Sequence, residues 1–304
     1  MTTIAPQTSL FIGGGWHTSS ATESIPVISP LTEAEIGSIP SSTIADIDTA
    51  VTAARRAFRA GRAGTPADQA GMLRRFADAL EARTEDRARC VTTENGMPIS
   101  LARFAEGAAP VQLLRYYADL VEAQPVEERR ASRPIPGTTV VRREPVGVVA
   151  AISPWNFPAI LSMFKIAPAL ASGCAVVLKP SPETTLDSYI LAEAAIESGL
   201  PQGLLNIVTG GADVGQYLVS HPGIDKVAFT GSTRAGRQIG KVCGELLRPV
   251  TLELGGKSAA LILDDADIAQ TVEGLATASL LNTGQTCYMS TRILVPRSQY
   301  SSYV

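Results

Sequence analysis

Short apolar segments alternate with helical patterns from Val146 onward, and this alternation constrains the fold more than any other feature of the chain. A segment that is apolar on both faces is typical of a strand inside a parallel sheet. Strands joined by helices at this spacing predict a parallel sheet with helices on both sides, which is a doubly wound α/β domain. The predicted strands are VGVVAAIS, CAVVLKP, LLNIVTG, KVAFTGS and PVTLELGG, and the helices between them begin near Ala159, Leu186, Val214 and Thr233.

The first third of the chain is helical in pattern. Apolar residues recur with a period of about 3.6 residues over 42–60. A second helix is expected to begin with Thr65 as its N-cap and Pro66 in its first turn, and a third is predicted over about 101–123. The second helix places four apolar side chains on one face, namely Met72, Leu73, Phe76 and Leu80.

Two changes of pattern divide the chain. Residues 125–144 are rich in charge, proline and β-branched side chains, which predicts an exposed β excursion. After Gly256 a strand (AALILDD), a helix over about 267–281 and a strand (STRILVP) predict the start of a second α/β domain. We therefore expect a discontinuous first domain over 1–124 and 146–256, an arm over 125–145, and an incomplete second domain over 257–304.

The composition disfavours several classes of protein. The formal charge is -3, from 26 basic and 29 acidic side chains, so no excess of positive charge is available for nucleic acid. Four dispersed cysteines and two histidines do not form a zinc-binding pattern, and no metal site is predicted. We find no signal peptide and no membrane span. Reduced thiols without a leader predict a cytoplasmic protein.

Glycine and polar residues follow the predicted strands, at the edge where open parallel sheets bind ligands. The turn at 231–236 opens a helix, so its free N–H groups and the helix dipole suit a pyrophosphate. The motif GxGxxG is absent, however, and a tight strand-to-helix turn explains these glycines about as well. Lys179 at a strand end could hold ribose hydroxyls or phosphate, or could be a solvated lysine. The segment 255–258 resembles the end of a P-loop, but Thr251 replaces the required first glycine.

Three residues are candidates for chemistry. Cys287 lies in a small polar loop between a helix and a strand, where a thiol is accessible, whereas the other three cysteines lie in apolar stretches and are interpreted as core residues. Glu253 lies in an apolar strand, where burial would raise its pKa toward that of a general base, although a structural hydrogen-bond network is the alternative. Asn156 lies at a strand-to-helix turn, where its amide could stabilise an oxyanion or cap the helix.

Five motifs in this order resemble the aldehyde dehydrogenase family: SPWNFP, LKPSPET, FTGSTRAG, LELGGKS and GQTC. The opening IGGGW and the helical first third are also similar, so the resemblance covers essentially all 304 residues. It implies that Cys287 is the nucleophile and Glu253 the general base. It also implies that Asn156 and the backbone N–H of Cys287 form the oxyanion hole.

The resemblance further implies that the first domain binds NAD, with NADP as the alternative. Relatives that prefer NAD often have a glutamate three positions after the lysine, but Pro182 stands there and Glu183 follows it, so the preference stays open. The implied cofactor contacts are Ile152, Ser153, Pro154, Trp155, Asn156, Lys179, Ser181, Glu183, Gly211, Gly215, Phe229, Thr230, Gly231, Ser232, Ala235, Glu253, Leu254 and Gly255.

The implied reaction oxidises an aldehyde to a carboxylic acid through a thiohemiacetal and a thioester on the cysteine, and water activated by the glutamate hydrolyses the thioester. In the family, the arm pairs subunits, which implies a homodimer or homotetramer for the complete protein. Family members continue well beyond the cysteine. We therefore expect the 304-residue chain alone to aggregate or to be inactive, and a non-catalytic dinucleotide-binding fragment is the alternative.

Overall fold

The computed structural model describes residues 7–61 and 64–304. Residues 1–6, which belong to the segment interpreted as lacking a signal peptide, lie outside this range. The strands are β1 Ser9–Ile12, β2 Gly15–Thr18, β3 Ser24–Ile28, β4 Glu35–Pro40, β5 Glu127–Ala131, β6 Thr138–Arg142, β7 Val148–Ile152, β8 Ala175–Lys179, β9 Leu205–Ile207, β10 Lys226–Gly231, β11 Val250–Leu254, β12 Ala259–Leu261 and β13 Arg292–Leu294.

The helices alternate with these strands in the second half of the chain. They are α1 Ile44–Gly61, α2 Pro66–Glu81, α3 Thr84–Asn95, α4 Ile99–Ala102, α5 Ala109–Ala123, α6 Pro158–Ala171, α7 Asp187–Glu197, α8 Ala212–Ser220, α9 Thr233–Glu245, α10 Ile268–Leu280 and α11 Tyr300–Tyr303. A π-helical segment, Arg103–Ala108, joins α4 to α5, and 3₁₀ turns occupy Pro182–Thr184, Leu281–Gly284 and Arg297–Gln299. No helix in the described part of the chain is long and apolar enough to cross a membrane.

The core is a seven-stranded sheet in the order β11-β10-β7-β8-β9-β1-β2. The five strands from β7 to β11 are parallel, as the alternating pattern predicts. Helices α1, α8 and α9 pack on one face of the sheet, and α6 and α7 pack on the other with α2 and α5 behind them. The strands β7 and β8 are buried throughout because both of their faces are covered. The predicted doubly wound α/β domain is confirmed.

The N-terminal edge of this sheet differs from the expectation. Strand β1 pairs antiparallel with β9 and with β2, so the sheet is mixed rather than wholly parallel. The side chain of Asn206 in β9 accepts a hydrogen bond from the Gly13 N–H at 2.9 Å, which holds the turn after β1 against the sheet. Strands of four residues carry too few side chains for a clear alternation, so the sequence pattern did not reveal them.

The predicted helices of the first third are confirmed. Thr65 caps α2, since its hydroxyl accepts from the Asp68 N–H at 3.2 Å while the Asp68 carboxylate accepts from the Thr65 N–H at 2.9 Å. The four apolar side chains predicted to share one face of α2 are all buried. The helix predicted over 101–123 begins at Ile99 and contains the π-helical segment. Helix α3 was not predicted, because its sequence, TEDRARCVTTEN, is mostly polar and shows no clear apolar periodicity.

The secondary structure predicted for the two remaining segments also forms, whereas the division of the chain into domains stays a prediction. Strands β5 and β6 make an antiparallel hairpin that is a sheet of its own, with most of its side chains exposed. Its role in subunit pairing stays a prediction. After Gly256, strands β12 and β13 pair in parallel through α10, as the pattern of strand, helix and strand predicts.

A buried carboxyl group holds the start of α6. The Glu106 carboxylate accepts hydrogen bonds from the backbone N–H groups of Ala159 at 2.6 Å and Ile160 at 3.3 Å. Burial raises the pKa of Glu106 to about 8, and the nearby charge of Asp187 adds to the shift. Burial likewise raises the pKa of Asp187 to about 7, while Arg87 opposes that shift. Both groups therefore retain protons in the folded protein at pH values where exposed carboxyl groups have lost them.

We expect the free energy of unfolding to fall as the pH rises from about 5 to about 8. Folded Glu106 and Asp187 have pKa values above their ordinary 4.5 and 3.8, so the stability they contribute is present at low pH and is lost as the pH passes their folded values. The slope is at most about 1.4 kcal/mol per pH unit for each group. Urea denaturation at several pH values measures it. Glu106→Gln, which resembles the protonated acid, should flatten the slope, whereas the exposed control Glu193→Gln should not; an equal slope in both variants would contradict this account.

Candidate active site

The carboxyl ends of four parallel strands lie side by side. Ile152 at the end of β7 is in register with Lys179 of β8 on one side and with Phe229 of β10 on the other. On the other side of β10, its residue Thr230 is in register with Glu253 of β11. The chain runs from β7 outward through β8 and β9 and then returns to β10, so the strand order reverses at β7. Open α/β sheets bind ligands at this point of reversal.

Lys179 is buried at the end of β8, not solvated as the alternative interpretation had it. Its Nζ donates to the carbonyl oxygens of Pro180 at 2.8 Å and Gly210 at 2.7 Å. Burial lowers its pKa to about 8, and the charges of Glu183 and Asp213 oppose that shift. An ammonium group has three donors, so one N–H remains for a ligand beside the two carbonyl groups.

Helix α8 packs against the side chain of Lys179. A Cβ built on Gly215 in α8 would lie 3.4 Å from the Lys179 Cε, which is ordinary van der Waals contact. Just beyond the end of β8, the Ser181 hydroxyl donates a hydrogen bond to the Glu183 carboxylate. Gly211 precedes α8 and has no side chain to cap it. Two predicted contacts, Lys179 and Gly215, are thus in direct proximity.

The turn after β10 is built from close packing. A Cβ on Gly231 would lie 2.5 Å from the ring of Phe229, so only glycine allows the backbone to pass over this ring. Ser232 caps α9, and its hydroxyl accepts from the Ala235 N–H at 3.2 Å. A Cβ on Gly236 would meet Leu254 at 2.5 Å, so α9 also packs closely on β11. This turn leaves N–H groups of the first turn of α9 free to bind an anion.

Several predicted cofactor contacts are buried or engaged in other contacts. Ser153 is buried, and its hydroxyl accepts from the Ser162 hydroxyl at 2.9 Å. Thr230 is buried, and its hydroxyl accepts from Lys165 Nζ at 2.6 Å. Trp155, by contrast, is 42% exposed at the rim of the site. The roles of the predicted contacts in binding a cofactor stay predictions.

The loop that carries Cys287 lies against the turn after β7. The Asn156 side-chain amide donates to the Gln285 carbonyl oxygen at 2.7 Å, although the two residues are 129 positions apart. A Cβ on Gly256 would lie 3.9 Å from the Cys287 carbonyl oxygen, so the loop also approaches the segment that follows Glu253. The thiol of Cys287 is exposed, as predicted. The structure therefore brings the Asn156 amide, the cysteine loop and the end of β11 to one place.

Glu253 departs from its predicted environment. It was expected to be buried, but it is exposed, because β11 is the edge strand of the described sheet and only β10 lies beside it. An apolar pattern of five residues cannot distinguish a central strand from an edge strand. The burial argument for Glu253 is therefore wrong, and its role as a base rests on the resemblance and on its position at the strand end.

Sequence reasoning missed Lys165. It lies on α6, and its Nζ donates to Thr230 and to the Leu161 carbonyl oxygen at 3.1 Å. Burial lowers its pKa to about 8, and the charge of Glu253 acts in the opposite direction. These interactions place an amine close to the predicted base. A lysine inside an apolar helix was the signal that could have revealed it, because burying a charge is costly without a partner.

Thiol labelling tests the exposure of the predicted nucleophile. Of the four cysteines only Cys287 is exposed, whereas Cys90, Cys174 and Cys243 are buried. We expect iodoacetamide to modify one thiol per native chain, at Cys287, and all four after denaturation, because alkylation requires access to the sulfur. Mass spectrometry of the digested protein identifies the site. Rapid labelling of any other cysteine in the native protein would contradict the arrangement.

The fold and the site define the class of α/β proteins with a doubly wound, Rossmann-like domain and an exposed cysteine near its ligand-binding edge. The sequence profile of the Aldehyde dehydrogenase family matches residues 16–304. This chain therefore belongs to the aldehyde dehydrogenase family, as the motifs indicate.

Individual relatives agree with this assignment. The chain is 55% identical over 299 residues to geranial dehydrogenase of Castellaniella defragrans and 41% identical over 302 residues to phenylacetaldehyde dehydrogenase of Pseudomonas fluorescens. Each alignment covers 97% of this chain, and 62% and 60% of the relatives. The crystal structure of a Mycobacterium tuberculosis aldehyde dehydrogenase complexed with NAD+ superposes with a TM-score of 0.93 at 40% identity, over 100% of this chain and 62% of that one. The chain thus spans about three fifths of the length of these relatives.

Proposed function

We propose that the protein oxidises an aldehyde to a carboxylic acid with NAD+, through a covalent intermediate on Cys287. The observation that carries this proposal is the 2.7 Å hydrogen bond from the Asn156 amide to the Gln285 carbonyl oxygen, two residues before the cysteine. It brings a hydrogen-bond donor to the loop that carries an exposed thiol. A carbonyl group that reacts with this thiol would develop its negative charge near a preorganised amide.

The residues at the strand ends fit a dinucleotide. Gly215 lies beside the Lys179 side chain, and the Gly231 backbone passes directly over the Phe229 ring. The free N–H groups at the start of α9 suit phosphate oxygens. Lys179 would hold ribose hydroxyl groups or a phosphate, and Glu183 would accept hydrogen bonds from ribose hydroxyl groups. We propose NAD+ as the cofactor, since Glu183 would repel the additional phosphate of NADP, and since the M. tuberculosis relative is a complex with NAD+.

In the proposed reaction, the side chains of Cys287, Asn156 and Glu253 act one after another. The thiolate of Cys287 adds to the carbonyl carbon, and the Asn156 amide with the Cys287 N–H stabilises the oxyanion of the thiohemiacetal. Bound NAD+ supplies the acceptor for the hydride that leaves this carbon. Glu253 then deprotonates a water molecule, which attacks the thioester and releases the carboxylic acid and the thiol. The exposure of Glu253 in the described structure keeps it accessible to water.

We propose an apolar aldehyde as substrate. The two relatives compared above are named for geranial and for phenylacetaldehyde, which are both apolar. In this chain, Tyr288 follows the nucleophile directly and is 60% exposed, and Phe164 on α6 is 54% exposed. Exposed aromatic side chains of this kind suit the apolar body of a substrate rather than a charged one.

A cofactor and substrate panel tests the proposal. We expect aldehyde-dependent formation of NADH with geranial and phenylacetaldehyde, lower kcat/KM with a charged semialdehyde, and lower kcat/KM with NADP+ than with NAD+. Calorimetry measures NAD+ binding separately. Binding of NAD+ without turnover of any aldehyde by the full-length protein would support a dinucleotide-binding protein instead. Turnover by the 304-residue chain alone would contradict the expectation that this chain is inactive.

A further inference from the structure

Two buried asparagines from distant parts of the chain converge on one carbonyl group. Asn282 Nδ2 donates to the Asn156 carbonyl oxygen at 2.9 Å, and Asn95 Nδ2 donates to the same oxygen at 3.2 Å. Asn95 also donates to the Trp155 carbonyl oxygen at 3.1 Å. The exposures of Asn95 and Asn282 are 6% and 2%. A carbonyl oxygen has two lone pairs, so these two amides saturate it.

The segment that supplies Asn282 has an unfavourable backbone. Asn282, Thr283 and Gly284 have φ angles of 52°, 54° and 86°, so three consecutive residues are left-handed. Asparagine tolerates this conformation, but a β-branched residue such as Thr283 rarely adopts it. In addition, the Asn282 Oδ1 is buried without a hydrogen-bond partner among the described residues. Strain of this kind persists only where the surrounding structure imposes it, and it clusters at functional sites.

The left-handed turn determines where Gln285 lies. Its carbonyl oxygen accepts one of the two protons of the Asn156 amide at 2.7 Å. Its side-chain Nε2 donates to the Thr283 hydroxyl at 2.9 Å and to the Asn95 carbonyl oxygen at 3.4 Å. The backbone and the side chain of Asn156 are therefore both held, which leaves its second amide proton in a fixed direction.

We propose that Asn95 and Asn282 are positioning residues, which aim the free N–H of the Asn156 amide by holding the Asn156 peptide in place. The inference rests on the proposed function, because it assigns Asn156 to the oxyanion. Neither asparagine touches the substrate: both act through the peptide of Asn156. A misplacement of about 1 Å can lower a catalytic rate about a hundredfold, so the loss of either amide should lower kcat.

The test compares four variants of the full-length protein. Asn282→Gly keeps the left-handed backbone but removes the amide, and Asn95→Ser removes the other amide. Asn206→Ala is the matched control, since Asn206 is a fully buried asparagine whose amide donates to the Gly203 carbonyl oxygen at 2.8 Å, at the opposite end of β9 from the ligand edge. Asn156→Ala provides the background for a double-mutant cycle.

We expect Asn282→Gly and Asn95→Ser to lower kcat about 10- to 100-fold while the KM for NAD+ stays within about twofold. Asn206→Ala should lower the melting temperature without this loss of kcat. In the Asn156→Ala background, Asn282→Gly should lower kcat by less than about twofold, because the residue acts through Asn156. If Asn282→Gly does not fold, Asn95→Ser provides the same comparison.

The activities of these variants distinguish a failure of the positioning role from a failure of the proposed function. If Asn156→Ala keeps full activity, the oxyanion role of Asn156 fails and the inference fails with it, while aldehyde oxidation through Cys287 stands. If the unchanged protein oxidises no aldehyde, the proposed function itself fails. If Asn156→Ala is impaired but the other two variants keep kcat, the positioning role is overturned and the proposed function stands. Losses that multiply in the double mutant would also overturn it, since they would show that Asn282 acts independently of Asn156.

Discussion

Replacing Cys287 with alanine should abolish aldehyde oxidation, with a loss in kcat of at least about a thousandfold. The thiol is the nucleophile of the proposed mechanism, and without it no thiohemiacetal or thioester can form. The sheet edge that would hold NAD+ does not include this side chain, so the affinity for NAD+ should change little. Steady-state rates and calorimetry on the full-length protein measure both quantities.

Cys174→Ala is the control for this substitution. Cys174 is buried just before β8 and is separate from the proposed chemistry, so its removal should leave kcat near that of the unchanged protein. A Cys287→Ala variant that keeps aldehyde oxidation would exclude Cys287 as the nucleophile. Loss of NAD+ binding in the same variant would instead indicate a structural role for the cysteine loop.

Replacing Asn156 with alanine should lower kcat about 100- to 1000-fold, the loss found when one donor of an oxyanion hole is removed. The KM for the aldehyde should change much less, because the oxyanion develops only after the thiol has added. Asn156→Asp has nearly the same shape but offers a negative charge to the developing oxyanion. We therefore expect it to lose at least as much activity as the alanine variant.

Iodoacetamide labelling provides the control for the Asn156 variants. If the cysteine loop keeps its place, Cys287 should react with the reagent at a rate close to that of the unchanged protein, since alkylation develops no oxyanion. A large fall in kcat together with unchanged labelling supports the oxyanion role. An Asn156→Ala variant in which kcat/KM falls only through KM would contradict that role, because the side chain would then contribute to binding alone.

The main sheet was predictable because its strands carry a strong local signal. Strands such as β7 and β8 are apolar on both faces, and the helices between them repeat at regular intervals, so the pattern indicated both the sheet and its covering. The cap at Thr65 was predictable for the same reason, since capping depends on residues within one turn. By contrast, β1 joins the sheet beside β9, almost two hundred positions later, and four residues give no periodicity.

The candidate site was only partly predictable. Motifs indicated Cys287, Asn156 and Lys179, and the structure places all three at the carboxyl edge of the sheet or in the loop packed against it. The environment of Glu253 was wrong, because burial depends on what covers a strand and not on the strand's own sequence. Lys165 and Asn282 were missed, since their significance lies in contacts with residues that are distant in the chain.

The sequence by itself determined the family and the alternation of strands and helices from Val146 onward, and it indicated the candidate reactive side chains. These properties depend on side chains that are close in sequence, whose periodicity and motifs can be read directly. Only the tertiary structure decided that the Asn156 amide lies 2.7 Å from the Gln285 carbonyl oxygen, that Lys179 is buried between two carbonyl groups, and that Glu253 lies on an exposed edge. Such contacts join segments whose separation along the chain carries no information about their distance in space. They arise when the helices pack on the sheet and bring the strand ends together.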